Sequence, residues 1–162
     1  MLYDNRDFPF FKELEKNYEK IKEEFLSIES EMVDWMQSYL HRGGWQTYGI
    51  YDFPHGNIIS NLANKVPFTR DLIKEAVPNH GTVGFSRLQA REIILPHKGY
   101  QANFLRCHLG VIVPEGDCGL AVENEILRWK EGVCVAFDDR KEHHAWNNTD
   151  QDRIVLLVDF IP

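Results

Sequence analysis

Thr82-Val83-Gly84-Phe85-Ser86-Arg87-Leu88-Gln89-Ala90 decides the fold, because it opens an unbroken series of strand-like segments. After Val83 to Ala90 come Glu92 to Leu95, Phe104 to Val113, Gly119 to Glu123, Val133 to Phe137 and Arg153 to Phe160. Pro114-Glu115-Gly116-Asp117 and Asn147-Asn148-Thr149-Asp150 supply turn chemistry between them. Upstream, Trp45 to Tyr51 reads as a further strand, Pro54-His55-Gly56-Asn57 as a turn, and Thr69 as the cap of a short helix running to Val77 before Pro78. The first forty residues carry apolar side chains at steps of three and four, from Leu14 through Ile21, Phe25, Ile28, Met32 and Trp35 to Tyr39. That is the mark of one or two amphipathic helices packed on a sheet, stopped by Gly43-Gly44. The pattern predicts a mainly β protein with N-terminal helices: a double-stranded β-helix, or cupin-like jelly roll. One domain is expected over residues 1–162, with 1–44 as helical support and 45–162 as the jelly-roll core.

At 162 residues, 43% hydrophobic and 27% charged, the chain is long enough and apolar enough for a substantial core. Its formal charge of −7 speaks against nucleic acid and anionic membrane surfaces as partners. No apolar run reaches the ~20 residues of a membrane span. Three cysteines, Cys107, Cys118 and Cys134, form no C-x-x-C pair and suit small buried groups in a reducing compartment. A cytoplasmic protein is expected.

Within the strand series, Pro96-His97-Lys98-Gly99 is followed by Arg106, His108, His143 and Arg153. Two imidazoles on a jelly roll suggest a divalent metal, although Gly99 stands where the usual carboxylate ligand would be. Arg106 and His108 alternate on one strand and share a face. Arg153 begins an apolar strand, where a guanidinium is costly unless an anion meets it, and its planar fork suits a carboxylate. Ser86 adds a hydroxyl on a neighbouring strand. The residues alone leave open that Arg106 and Arg153 pair with internal acids such as Asp138, Asp139 or Glu142. Trp45 and Trp146 are candidates for a cleft wall or for the core, and His41, His55 and His80 read as exposed.

Taken as an ordered set, Pro96-His97-x-Gly99, Leu105-Arg106-x-His108-Leu109-Gly110, Pro114, Asn124-Glu125, Trp129, Gly132, Phe137-Asp138-Asp139, Glu142-His143-x-x-Trp146, Arg153 and Val158-Asp159 resemble the aspartyl/asparaginyl β-hydroxylase family of Fe(II)- and 2-oxoglutarate-dependent oxygenases. The resemblance runs from about Trp45 to Pro162. It implies iron held by His97 and His143 without a carboxylate, which makes Gly99 expected. It implies that Arg153, Ser86 and His108 bind 2-oxoglutarate, and that Arg106 meets cosubstrate or substrate within the catalytic set. It further implies O2 as co-reactant and hydroxylation of an unactivated carbon.

The chain departs from the vertebrate peptide hydroxylases at Phe104, where they carry an arginine for the substrate's carboxylate, and at His144, which replaces an acid. His144 is expected on the outer face, away from the metal. The expected substrate is amino-acid-like or peptidyl, either a small molecule or carrier-tethered, and oligomeric state is undetermined. Two alternatives accompany this reading. One is a halogenase using the space left by the missing ligand. The other is a non-catalytic jelly roll binding a small acid.

Overall fold

Alternation along the strands sorts their side chains between two cores, one under helices and one between sheets. The protein is described by a computed structural model covering residues 1–162. The larger sheet has seven strands in the order β1 (Leu2–Tyr3), β9 (Cys134–Phe137), β6 (Leu105–Ile112), β11 (Arg153–Phe160), β4 (His80–Leu88), β3 (Trp45–Tyr51), β2 (Val33–Asp34). The smaller has four, in the order β5 (Ile93–His97), β10 (His143–Asn147), β7 (Cys118–Val122), β8 (Glu125–Leu127). Every pairing is antiparallel, and the two sheets make the expected jelly roll.

Strand β11 shows the sorting most plainly, since all of its residues are buried. Ile154, Leu156, Val158 and Phe160 join Phe11, Leu14, Ile21 and Phe25 from α1 (Phe10–Lys16) and α2 (Tyr18–Ile28). Truncating one of these phenylalanines to alanine would cost about 3–5 kcal/mol. The alternate residues Arg153, Val155, Leu157 and Asp159 face the smaller sheet. Val155 there packs in a second core with Trp45, Leu88, Leu120, Phe137 and Ala145.

The N-terminal helical pattern ends sooner than its periodicity suggests. After a short turn at Glu29–Glu31, Val33 pairs with Thr47 on the edge of the larger sheet, and the Trp35 N–H donates to the Trp45 carbonyl at 2.9 Å. Sheet-edge hydrogen bonds thus replace helical ones, and Trp35 and Leu40 serve the inter-sheet core. After α3 (Ser60–Ala63), α4 spans Pro67–Ala76 and begins at Pro67, not Thr69. Its N-terminus is capped from outside. The Glu24 carboxylate of α2 accepts the Phe68 N–H at 2.9 Å, the Thr69 N–H at 2.7 Å and the Thr69 hydroxyl at 2.6 Å.

Candidate active site

Register brings the site together. His97 and His143 are direct cross-strand partners on β5 and β10, with ring centroids 4.3 Å apart. The His97 Nδ1 lies 2.7 Å from the Leu95 carbonyl oxygen, and the His143 Nδ1 lies 2.8 Å from that of Lys141. A carbonyl can only accept, so each Nδ1 carries the proton and each Nε2 keeps a free lone pair. Burial lowers both pKa values, His143 to about 3, which keeps the rings neutral and fit to ligate.

No cluster of three His, Cys, Asp or Glu side chains able to hold a metal forms here. The reason is visible at Gly99. A Cβ at that position would overlap the Asp139 carboxylate, and the Gly99 N–H donates to the Asp139 carbonyl at 2.6 Å. Glycine is required because another residue's acid fills its side-chain space.

The larger sheet presents the remaining candidates on its inner face. Ser86, His97, Arg106, His108, His143 and Arg153 line one small cavity. The two arginines differ sharply. Arg106 Nε and Nη2 bond the two Asp159 carboxylate oxygens at 2.7 and 2.9 Å, and Asp139 lies 3.5 Å away. Asp159 is Arg106's register partner on β11, and the sequence alternatives for such pairing included Asp139 but not Asp159. An acid inside an apolar strand was the available signal. Asp138 instead bonds Arg140. Asp139, only 3% exposed, is pushed up to about 6 by burial.

Arg153 has no carboxylate partner at all. It is 1% exposed, stacks 4.5 Å from the Trp129 ring, and donates from Nη2 to the Ser86 Oγ and carbonyl at 3.2 and 3.3 Å. Its Nε–H finds no acceptor, and burial pulls its pKa down to about 10. Beside it, the His108 Nδ1 accepts the Trp129 indole N–H at 3.1 Å, which places the ring proton on Nε2. That Nε2 is also buried without a partner. Burial, then the Arg153 charge, holds His108 neutral, with its pKa well below the ordinary value. Trp45 donates to Ser86 Oγ at 3.0 Å, leaving the hydroxyl proton free. A guanidinium, an imidazole N–H and a hydroxyl proton thus converge with no anion among them. Such a donor set fits a carboxylate.

Other expectations divide. Trp45 lines the cavity, whereas Trp146 lies on the outer face, stacked on Arg128 at 5.2 Å and bonded to Asp117 at 2.7 Å. His144 is exposed on that outer face as expected, and so is His55 at its turn. His41 is buried, contrary to expectation. Its Nε2 sits 2.9 Å from the Trp35 carbonyl and its Nδ1 accepts the Gly43 N–H at 3.0 Å, which ties down the chain entering β3. His80 is half-buried with its ring 4.1 Å from that of Tyr51. Phe104 lies outside the cavity, against Gly81. All three cysteines are buried and free.

Residues 15–162 match the model of the aspartyl/asparaginyl beta-hydroxylase family. Among individual proteins, an ornithine lipid ester-linked acyl 2-hydroxylase from Rhizobium tropici is 33% identical over 99% of this chain and 60% of its own length. The human aspartyl/asparaginyl beta-hydroxylase is 26% identical over 91% of this chain and 20% of its own. The chain therefore spans only part of these relatives. Two solved structures share the fold: a Pseudomonas putida prolyl-4-hydroxylase (TM-score 0.56, 12% identity, 89% of this chain and 86% of that one) and a Trichoplax adhaerens prolyl hydroxylase (TM-score 0.57, 11% identity, 90% and 78%).

Proposed function

The chain belongs to the aspartyl/asparaginyl β-hydroxylase family, and on that premise we propose that it is a hydroxylase dependent on Fe(II), 2-oxoglutarate and O2. Residues 1–162 are proposed to act as one catalytic unit. The single observation that carries the cosubstrate reading is the buried, unpaired Arg153 guanidinium beside the orphan His108 Nε2–H. A buried cation with no internal anion is better satisfied when a ligand supplies one. Bound iron and 2-oxoglutarate would supply the oxidation itself, in which 2-oxoglutarate and O2 give succinate, CO2 and a hydroxylated substrate carbon.

The protein's own part is positioning. His97 and His143 offer their Nε2 lone pairs to the metal, held in orientation by the Leu95 and Lys141 carbonyls. Arg153, Ser86 and His108 hold the cosubstrate's distal carboxylate, and Trp129 orients both Arg153 and His108. Arg106, already neutralised by Asp159, positions the site wall beside His97 and keeps Asp139 against Gly99. The surrounding Ile94, Leu120, Phe137 and Leu157 exclude water. A carboxylate packed into the space beside Gly99 opposes chloride there, which favours hydroxylation over halogenation.

The test is anaerobic addition of Fe(II), then 2-oxoglutarate, to the metal-free protein while recording the visible charge-transfer band of the chelate. The band is expected in the wild type and absent in His143→Ala. Absence from the wild type, or persistence in His143→Ala, overturns the assignment.

A further inference from the structure

We infer that an apolar cavity adjoining the catalytic pocket binds dioxygen and delivers it to the site, apart from the opening that the substrate uses. The inference rests on the hydroxylase reading above and assigns a path to one of its reactants. The cavity measures about 240 Å³ and meets the catalytic pocket at Ser86 and Leu157, which line both. Its hollow has a sequence cause. Gly49 of β3 and Gly84 of β4 are register partners, and Leu157 of β11 is the next in the same row. Two adjacent strands therefore present no side chain at one point of the inner face. A Cβ on Gly84 would meet the Tyr48 carbonyl oxygen, so the gap is built into the sheet.

Hydrogen bonding decides what such a hollow can hold. Trp35, Phe53, Ile59 and Leu62 give it an apolar wall. Its polar side chains are largely engaged elsewhere. Trp35 Nε1 donates to Gln37 Oε1 at 3.0 Å, the Tyr48 hydroxyl to the Leu62 carbonyl at 2.7 Å, and the Tyr51 hydroxyl to the Arg70 carbonyl at 3.1 Å. The Thr82 hydroxyl donates to the Asp52 carbonyl at 3.2 Å, and the Asp52 carboxylate accepts the Asn57 N–H at 2.8 Å. An ordered water needs roughly two to four polar partners, and an apolar cavity without them takes up small nonpolar molecules such as xenon. A charged or hydrogen-bonding ligand gains little here. The catalytic pocket next door is the opposite case, with the Arg153 Nε–H and the His108 Nε2–H both unpartnered.

A second hollow, about 230 Å³, reaches His97 and carries Gln37, Lys98 and Asp139. Its polar groups suit a hydrated part of the substrate. The catalytic pocket thus has one polar approach and one apolar approach. O2 is uncharged, makes at most feeble hydrogen bonds and partitions from water into hydrocarbon, so it follows the apolar one. At the outer mouth, Val33 and Met36 are 63% and 66% exposed, an apolar entrance for a gas arriving from solution.

Two readouts test this, the first on the metal-free full chain. Dissolved O2 is paramagnetic and speeds the relaxation of methyl groups near it. Under O2 pressure, with argon as reference, the methyls of Ile59, Leu62 and Leu157 should relax faster than those of exposed Ile126 and of Ile21 in the closed helical core. Gly49→Leu, whose side chain enters the hollow against Ile59 Cδ1, should remove that excess. If that variant does not fold, Thr47→Phe beside Ser86 takes its place, with Thr47→Val as the size-matched control that keeps the excess. The second readout is substrate-free succinate formation by the iron-loaded protein as a function of O2 concentration. The filled variant should raise KM for O2 severalfold while the chelate band titrates with 2-oxoglutarate as in the wild type.

No methyl excess, or an excess that the filled variant leaves unchanged, overturns the site. An excess removed by the variant without a rise in KM for O2 overturns delivery to the catalytic pocket. An organic molecule released stoichiometrically from the purified chain on denaturation also overturns it, since an occupied hollow carries no gas. Failure of the hydroxylase reading looks different: no chelate band forms, and no succinate appears at any O2 concentration.

Discussion

Replacing Arg153 by methionine should leave the ligand-free protein as stable as the wild type, or more so, while abolishing its response to 2-oxoglutarate. Burial takes the Arg153 pKa down to about 10, well below that of an ordinary guanidinium, a penalty on the charged form of about 3 kcal/mol. At pH 7 the group is protonated in both folded and unfolded chains, so the penalty is fully present. It lifts only as pH climbs beyond 10, where the unfolded chain still binds the proton that the folded one gives up. Methionine removes it, and forfeits two long hydrogen bonds to Ser86 worth ~1 kcal/mol each and the Trp129 stack worth ~1 kcal/mol. The two sides roughly cancel.

Arg106→Met is the counterpart. It strands Asp159 and Asp139 without their cation, both 6% exposed or less, and should cost about 3–5 kcal/mol. That corresponds to a fall in Tm of roughly 10 °C for a domain of this size. Differential scanning calorimetry of the metal-free proteins, repeated anaerobically with Fe(II) and graded 2-oxoglutarate, makes the comparison. At a hundred times Kd, 2-oxoglutarate should stabilise the wild type by ~2.7 kcal/mol and Arg153→Met not at all. Arg153→Met falling as far as Arg106→Met, or keeping the 2-oxoglutarate shift, would refute the claim that Arg153 waits for an external anion.

Three further outcomes are expected. His143 folds with a pKa of about 3, so the unfolded chain gains a proton that the folded one refuses. Metal-free stability therefore drops as pH falls from ~6.5 towards 3, by up to ~1.4 kcal/mol per pH unit from this residue. Asp139, raised to about 6, acts in the opposite sense between 6 and ~4, so the effect is read as a difference. The stability of His143→Ala relative to wild type, from urea melts, should grow as pH falls from 6 to 4, and a constant difference contradicts a buried neutral ring. Gly99→Asp, which would formally restore a carboxylate ligand, should instead lower both stability, by about 1–3 kcal/mol, and Fe(II) affinity, because Asp139 already fills the space. Tighter iron binding by calorimetric titration would disprove this. Trp129→Phe removes the donor that sets the His108 tautomer and should weaken 2-oxoglutarate about fivefold, equivalent to one hydrogen bond, with the chelate band still reachable at higher concentration.

Strands whose apolar residues alternate or run together were legible from sequence, as β3, β4, β6 and β11 show. Strand β10 was not. His143, Ala145 and Asn147 face inward while His144 and Trp146 face outward, a pattern without apolar alternation. Pairing with β5 on one side and β7 on the other makes it a strand. Periodicity also overextended the N-terminal helices, because Met32 and Trp35 are apolar for the sake of two different cores, and Tyr39, the last of the series, is exposed. Alternation placed Arg106 and His108 on one face, but nothing local tells a paired arginine from an unpaired one. That depends on which residue of β11 lies opposite.

Strand geometry explains why one arginine is paired and the other is not. Arg153 and Asp159 occupy the same face of β11, yet six residues at ~3.3 Å per residue hold them about 20 Å apart, beyond any direct pairing. The inner residues between them are Val155 and Leu157, which offer no charge. Asp159 meets Arg106 across the β6–β11 ladder, while Arg153 at the other end faces Leu88 of β4 across its own ladder. The fold thereby separates a self-neutralised acid–base cluster beside Gly99 from a lone cation beside Ser86. The two histidines stand across the cavity on the opposite sheet. On the proposed function, a ligand that bears a carboxylate at one end and chelating oxygens at the other would satisfy both the lone cation and a metal held by the histidines.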